Sequence, residues 1–547
     1  MTHDLRARAA AWIAADPDAA DRAELTALLD AGDEAELARR FAAPLSFGTA
    51  GLRGPVMAGP AGMNRLTVRR ATQGVVAWLG EIGVDPARGV VVGRDARRGS
   101  EAFNDEVVAV LLGAGVPVHE MPRPLPTPFV AFAVRALGAA AGVMITASHN
   151  PPMDNGYKLY AADGAQIIPP SDEIVERHSA RAGTPVMGDR GGPRYHRLGE
   201  ELLADYRDHV VARFGGPSDL VIAYTPLHGV GGAPVIELLA AAGFANVHVV
   251  ESQFAPDAAF PTLPFPNPEE PGALDQALAT ADRVGADLVL ANDPDADRLG
   301  AAVRDRGAWR PLRGDEIGWL LASSLLPGAG PDDVVATSLV SSTLLGAMAR
   351  DAGVAYATTL TGFKWVARAA GAGVLRFGYE EALGFAVDPL VADKDGMSAA
   401  LALARLADDL AREGRSLVDR LDEIEARFGV HAGAQVSVRA EGAAGLAAIA
   451  AVVARLRATP PTRLGGLDVT EVIDLSDGWH GLPATEGVWW RLGEAGRVVV
   501  RPSGTEPKLK AYLEVVEPAD SALGEARVRA RARLDAVRRD VESLTRL

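Results

Sequence analysis

Cysteine is absent from the 547 residues, which excludes disulfides, thiolate metal sites and a cysteine nucleophile. Lysine is nearly absent too. Of 55 basic residues only Lys158, Lys364, Lys394, Lys508 and Lys510 are lysine, and the rest are arginine. None of these follows a glycine, so the Gly-Lys-Ser/Thr of a P-loop nucleotidase cannot be built, and no Gly-x-Gly-x-x-Gly opens a helix. Basic charge is outweighed overall: the formal net charge is −16, which argues against a nucleic-acid partner or an anionic membrane surface. No apolar run approaches the ~20 residues needed to cross a bilayer. The start, Met1 to Arg8, carries Asp4 and lacks the apolar core of a signal peptide. The expected location is cytoplasmic, with neither nucleic acid nor membrane as partner.

What is present suits a globular protein. Hydrophobic residues make up 48% of the chain, enough for packed cores, and 547 residues divide into three or four domains at ~100 to 200 residues each. The few lysines are informative in themselves. A desolvated ammonium can lose its proton and a guanidinium in practice cannot, so these five positions are candidates for proton transfer or point-charge contacts.

The stretch Thr146-Ala147-Ser148-His149-Asn150-Pro151 follows an apolar run, Ala139 to Ile145, that reads as a buried strand. The Ser148 hydroxyl therefore emerges on a loop at a strand end, where α/β domains carry function. Upstream, residues 1–41 read as amphipathic helices with Asp16 and Asp21 as caps. Next comes Phe47-Gly48-Thr49-Ala50-Gly51-Leu52-Arg53-Gly54, three glycines around one arginine. Such a loop lets Arg53 offer a bidentate fork to an anion, although a plain turn fits these residues equally well.

A strand–helix–strand unit then recurs. It begins at Gly89 to Asp95 and closes through His119, begins again at Asp219 to Thr225 and closes through Val250, and begins a third time at Asp332 to Ser338 and closes through Leu360. The repetition predicts three related α/β domains with mixed, mainly parallel sheets. The stretch from Gly183 to Pro193 reads as a linker. After Val430 the pattern changes to a strand at Ala434 to Val438, an alanine-rich helix to Leu456 and short strands around Val469, Val488 and Val498, which predicts a C-terminal α+β domain. The expected boundaries are 1–200, 201–313, 314–431 and 432–547.

Each later domain contributes a distinctive loop. Asp293-Pro294-Asp295-Ala296-Asp297-Arg298 follows the buried strand Asp287 to Ala291. Three carboxylates at alternate positions can converge on one hard cation, and oxygen-only ligands point to magnesium ahead of manganese or calcium. An EF-hand is excluded, because Arg298 stands where that loop needs glycine and Arg304 where it needs glutamate. In the third domain Tyr379-Glu380-Glu381-Ala382 lies between Gly378 and Gly384. Glu380 and Glu381 can accept hydrogen bonds from sugar hydroxyls, with Tyr379 or Phe385 as an apolar wall. Lys364 follows another strand, and Lys394 lies in Asp393-Lys394-Asp395-Gly396. In the fourth domain Arg501, Ser503, Gly504, Thr505 and Lys508 make a well-supplied phosphate cradle.

These four loops, in this order and at about these separations, resemble the active-site, metal, sugar and phosphate loops of the α-D-phosphohexomutase superfamily. The resemblance runs from about Phe47 to Lys510 and implies four domains around a central cleft. It implies that Ser148 is phosphorylated in the working enzyme, and that Asp293, Asp295 and Asp297 bind Mg²⁺ together with an oxygen of that phosphate. Arg298 would face the same group, Arg53 would lie near the nucleophile, and Lys158 would be the general acid/base. Lys364 sits where relatives carry a lysine or histidine with a similar or substrate-holding role. His149 and Lys394 are expected in the substrate-binding set. The implied reaction interconverts hexose 1-phosphate and hexose 6-phosphate through a hexose 1,6-bisphosphate, with the fourth domain mobile while the intermediate reorients. Ala382 stands where phosphoglucomutases and phosphomannomutases commonly carry serine, and the Asp393–Gly396 segment is similar to the branch with phosphoglucomutases and pentose-phosphate mutases. Glucose phosphate is the first expectation, with mannose or pentose phosphate close behind.

Other classes stay open at this point. A Mg²⁺-dependent phosphatase would use an aspartate nucleophile and pass the group to water. A serine hydrolase would need a histidine remote in sequence, and His149 is the direct neighbour of Ser148. Partners are expected to be small sugar phosphates, and the assembly a monomer or homodimer.

Overall fold

The computed structural model describes residues 3–48, 51–440, 442–503, 508–520 and 522–547. They fall into two compact units: the chain up to Leu312 together with Leu383–Asp408, and Arg313–Ala382 together with Asp409–Leu547.

The first unit begins with helices His3–Ala15, Ala19–Ala31 and Glu34–Arg40, which bury Ala9, Trp12, Leu25 and Leu37 with Phe41. The cap of the second helix is Asp18, which accepts from the N–H groups of Ala20 and Asp21, rather than Asp16 or Asp21 as expected. Asp16 is instead held by the Trp12 indole at 3.1 Å, and Asp21 lies inside the first turn. Asp18 directly precedes the first helical residue, and only that position lets a carboxylate reach the free N–H groups.

Two sheets follow. In the first the strand order is Leu52–Pro55, Asp154–Ala161, Ala141–Ile145, Val90–Arg94, Val118–Glu120 and Tyr195–Arg197. Val90–Arg94 pairs parallel with both of its neighbours, whereas Asp154–Ala161 runs antiparallel. In the second the order is Ala308–Pro311, Leu299–Asp305, Leu288–Asn292, Ser218–Thr225 and Phe244–Val249. Ser218–Thr225 again pairs parallel with both neighbours and an antiparallel strand follows. In both sheets a central apolar strand leads the unit, and the functional loops leave the same ends of the strands, as strand polarity requires.

The second unit repeats the pattern with Asp333–Ser338 parallel to Ala355–Thr359 and Val374–Glu380. Its five-stranded sheet is entirely antiparallel, in the order Val430–Arg439, Lys508–Glu517, Gly496–Pro502, Val488–Arg491 and Glu471–Asp474. Helices Gly442–Ala458 and Leu523–Leu544 cover one face, over a core with Val452, Trp490, Val498, Leu534 and Val537. Mixed α/β sheets followed by an α+β segment are the expected fold class. One local expectation differs: at Val469 the chain turns between Leu467–Asp468 and Glu471–Asp474, with the Val469 N–H bonded to Thr462 O. Within this unit a buried polar joint links the parallel strands to the five-stranded antiparallel sheet. Arg497 donates to Leu339 O and Ser341 O, and Glu514 accepts from Ser342 Oγ at 2.6 Å and from Arg497 Nε at 3.0 Å.

Candidate active site

Strand Ala141–Ile145 is buried along its whole length and ends at Thr146. The Thr146 hydroxyl accepts the Ser148 N–H at 2.9 Å, and Ser148 then adopts φ = 53°, a left-handed conformation that L-residues avoid unless held. The turn drives the hydroxyl inward. Ser148 Oγ donates to Asp293 Oδ2 at 2.7 Å, and His149 Nδ1 lies 3.2 Å from Ser148 Oγ. Burial, with Arg298 and Arg53 nearby, holds His149 well below the usual imidazole value. Its ring is therefore neutral.

The aspartate loop is built on the second sheet. Strand Leu288–Asn292 ends at Asp293, and Ala296 at φ = 51° turns the chain back so that its N–H bonds Asp293 O at 2.8 Å. From outside the loop, the N–H of Thr127 donates to Asp295 O at 2.9 Å and its hydroxyl to Asp295 Oδ2 at 2.5 Å. Asp293, Asp295 and Asp297 are completely buried, each offering a carboxylate oxygen within 4.8 Å of the others.

Two lysines neutralise this charge. Lys158, on strand Asp154–Ala161 and equally buried, places Nζ 2.7 Å from Asp295 and 2.6 Å from Asp297. Lys394 Nζ lies 2.7 Å from Asp297. The flanks of Lys394 are pinned: Tyr160 and Gln166 donate to Asp393 at 3.0 and 2.8 Å, and Tyr206 donates to Asp395 at 2.5 Å. The three carboxylates respond differently. Burial, with the charges of Asp297 and Asp295, lifts Asp293 well above the usual range. Burial also opposes charge on Asp295 and Asp297, but the ammonium of Lys158, joined at both by that of Lys394, holds them below it.

The triad fits a divalent cation. Asp295 Oδ1 and Asp297 Oδ1 are buried without a hydrogen-bond partner among the described residues, so oxygen atoms are left for an ion. The donor set is oxygen only, which suits a hard cation. Arg53 lies in the same field. Its guanidinium is desolvated, which lowers its proton affinity against the pull of Asp295 and Asp297, and Nη1 reaches Asn150 Oδ1 at 3.3 Å. Arg298 pairs with Glu269 at 3.1 Å. Ser148, His149, Lys158, Arg53, Arg298, Lys394 and the three aspartates are thus brought together.

The remaining candidates lie in the second unit. Glu380 accepts the Gly362 N–H at 2.7 Å, which ties it to the turn that starts helix Phe363–Val366 and carries Lys364. Glu381 accepts from Ser341 Oγ at 2.8 Å and Ser338 Oγ at 3.3 Å. Tyr379 and, in the first unit, Phe385 do not form an apolar wall for a sugar. Both are completely buried, and the Tyr379 hydroxyl donates to Asp315 at 2.9 Å. Arg501 ends strand Gly496–Pro502 opposite Lys510, and the Ser503 N–H bonds Lys508 O at 2.8 Å, so Arg501, Ser503 and Lys508 cluster at one hairpin end. Gly504 and Thr505 lie outside the described residues.

Sequence reasoning missed Arg97, Thr127 and Glu269. Arg97 follows a strand end in Arg94-Asp95-Ala96-Arg97 and Thr127 opens a helix in Pro126-Thr127-Pro128, so position within the repeat is the signal that would have found both. Glu269, in a long proline-rich loop, carries no such signal.

Comparison with known proteins agrees along the chain. Residues 44–184, 204–307 and 313–428 match alpha/beta/alpha domains I, II and III of phosphoglucomutase/phosphomannomutase, and 413–531 match its C-terminal domain. The chain is 39% identical over 466 residues to a Haemophilus influenzae protein named "Probable phosphomannomutase", covering 83% of this chain and 93% of that one. It is 35% identical over 563 residues to the phosphopentomutase of Mus musculus, covering 93% and 90%. Among solved structures, a phosphoglucomutase/phosphomannomutase family protein from Burkholderia thailandensis shares the fold, with a TM-score of 0.67 at 20% identity over 90% of this chain and 97% of that one.

Proposed function

The chain belongs to the phosphoglucomutase/phosphomannomutase family of phospho-sugar mutases, and from that premise we propose that it interconverts a hexose 1-phosphate and a hexose 6-phosphate, glucose first, through a phosphorylated Ser148. The observation that carries the reading is the buried Ser148 hydroxyl, aimed at Asp293 at 2.7 Å beside a lysine-neutralised aspartate triad. A plain structural serine needs no such surroundings.

Phosphoryl transfer requires donor and acceptor in line and charge neutralised around the group in transit. Asp293, Asp295 and Asp297 would hold Mg²⁺, which when bound supplies part of that neutralising charge. Arg53 and Arg298 supply more of it from fixed positions. His149, neutral, leaves Ser148 Oγ free of a competing positive charge. Lys158 carries the proton exchanged at the serine oxygen, a task closed to arginine. Arg501, Ser503 and Lys508 hold the phosphate that is not reacting, with Gly504 and Thr505 of the same loop. Glu380, Glu381, Lys364 and Lys394 hold the sugar. Each hexose phosphate takes the group from Ser148 to give a 1,6-bisphosphate, which turns over and returns its other phosphate to Ser148. The same bisphosphate primes the serine.

A pentose 1-/5-phosphate is the second reading, favoured by the 35% identity along 93% of this chain to a phosphopentomutase. The test is phosphorus NMR of the protein with Mg²⁺ and a trace of hexose bisphosphate, offered glucose, mannose, ribose and glucosamine 1-phosphates in turn. Conversion of one to its 6- or 5-phosphate without free phosphate is the expected result. Release of inorganic phosphate from all four would replace the mutase reading with a phosphatase.

A further inference from the structure

Arg97 touches none of the aspartates or lysines described above, yet it is almost completely buried beneath the Ser148 loop. Its guanidinium gathers the loop's backbone. Nη2 donates to Ser148 O and to Asn150 O at 2.7 Å, and Nη1 donates to Pro151 O at 3.0 Å and Asp154 O at 3.2 Å. Four carbonyls turned toward one point repel one another unless a cation with several fixed donors stands there, and only arginine offers that fork.

The clamp is itself held on two sides. Asp95 lies 3.4 Å from Arg97 Nε and is fixed by the Ser100 hydroxyl at 2.6 Å and the Arg97 N–H at 3.0 Å. On the opposite flank the ring of Phe260, from the second sheet's side of the unit, sits with its centroid 4.9 Å from the guanidinium carbon. Phe260 is buried at φ = 46°, in a segment tied down where Asp257 N–H bonds His228 O at 3.0 Å and Thr262 Oγ1 lies 2.8 Å from His228 Nε2. A cation against an aromatic face in a dry site is attracted to it.

We propose that Arg97 is a positioning residue for the reacting serine, setting the direction of Ser148 Oγ by holding the left-handed Ser148 loop through four carbonyls, with Phe260 locking the clamp from the second domain. The inference rests on the mutase reading for its kinetic consequence, but not for the clamp. Because the loop acts in both half-reactions, loosening it slows both and leaves the grip on the sugar phosphate alone. A displaced phosphoserine is also more open to water.

The test compares Arg97→Lys, which keeps the charge and loses the fork, with the milder Phe260→Leu. Arg97→Lys is expected to lower kcat about 100-fold, the scale of a misplacement of ~1 Å, with KM within about twofold. The share of phosphoryl groups lost to water, read as inorganic phosphate per sugar converted, rises. Phe260→Leu shows the same signature at about one tenth of the size and decides the matter should Arg97→Lys fail to fold. Hydrogen exchange of the unphosphorylated protein supplies a readout free of activity: amides of residues 148–154 exchange faster in both variants and those of strand Ser218–Thr225 do not. Unchanged exchange in the loop, or a fall in kcat with unchanged loss to water, overturns the proposal. An inactive wild type with no phosphoserine would instead overturn the mutase reading, and the exchange measurement would still decide the clamp.

Discussion

Replacing Lys158 by methionine keeps most of the volume and removes an ammonium that lies 2.7 Å from Asp295 and 2.6 Å from Asp297, all three side chains being completely buried. Breaking a buried ion pair by deleting one partner costs about 3 to 5 kcal/mol. The lower figure applies here, because Lys394 still reaches Asp297 at 2.7 Å and Thr127 still donates to Asp295. With a shift of roughly 2 °C per kcal/mol for a body of this size, the melting temperature in chelator should fall by about 6 °C. Magnesium changes the comparison. An ion at the triad and the Lys158 ammonium would neutralise the same two carboxylates, Asp295 and Asp297, and repel one another, so the variant should gain more from Mg²⁺ than the wild type does. An ion at about 100 times its dissociation constant contributes about 2.7 kcal/mol, which is enough to close most of the gap. The assay is thermal unfolding of both proteins in chelator and in excess Mg²⁺, beside turnover in Mg²⁺. Turnover should stay about 100-fold or more below wild type even where stability is restored, because the proton transfer proposed for Lys158 is not replaced. A deficit in melting temperature that Mg²⁺ leaves unchanged would refute the idea that lysine and metal neutralise the same carboxylates, and near-normal turnover would refute the proton role.

Ser148→Ala should abolish turnover and the phosphorylation seen by intact-mass spectrometry while leaving the melting temperature within a few degrees of wild type. Gly229→Ala would bring a Cβ to 2.3 Å from Pro294 Cα and displace the aspartate loop. An overpacking cost of about 1 to 3 kcal/mol and a weakened Mg²⁺-induced rise in melting temperature are expected, read by the same thermal assay. Asp315 gives a pH dependence. Burial, opposed by the Ser342 N–H and reinforced by Glu381, raises its carboxyl to about 6 from 3.8. The protonated folded form is therefore favoured, so this contribution to stability is full below pH 3.8 and is lost as pH rises through about 6. Asp315→Asn, which mimics the protonated form, should stabilise the protein by up to about 3 kcal/mol at pH 7.5 and by almost nothing at pH 4, as the difference in melting temperature between the two proteins.

The features legible in the sequence are those whose causes are local. Ala141–Ile145 and Leu288–Asn292 are buried at every position, so their apolar runs stand out, and a polar residue just beyond such a run must leave at the strand end. Ser148 and Asp293 stand beyond such strand ends. Alternate aspartates separated by Pro294 and Ala296 likewise point to a place where cations gather, because three carboxylates so close repel one another unless positive charge stands among them, and Lys158 and Lys394 stand there. Illegible features depend on partners distant in sequence. Arg97 meets carbonyls more than 50 residues away, and Thr127 meets Asp295 168 residues on. Tyr379 was misjudged for a related reason. An aromatic beside two glutamates suggests a ligand wall, but its place on strand Val374–Glu380 turns the ring into the core, where Asp315 satisfies its hydroxyl.

The scarcity of lysine now has a structural sense at two of its five positions. Lys158 and Lys394 are the two cations that converge on Asp297, in a space closed to solvent. A guanidinium carries five donors in a rigid plane and would leave several of them unsatisfied there, whereas an ammonium fits between two carboxylates and points three donors where they are needed. Arg97 presents the reverse case: four carbonyls spread along a loop need a fork, and a lysine cannot reach them all. A chain that uses arginine almost everywhere keeps lysine at these two positions, where the geometry is that of a point charge between carboxylates.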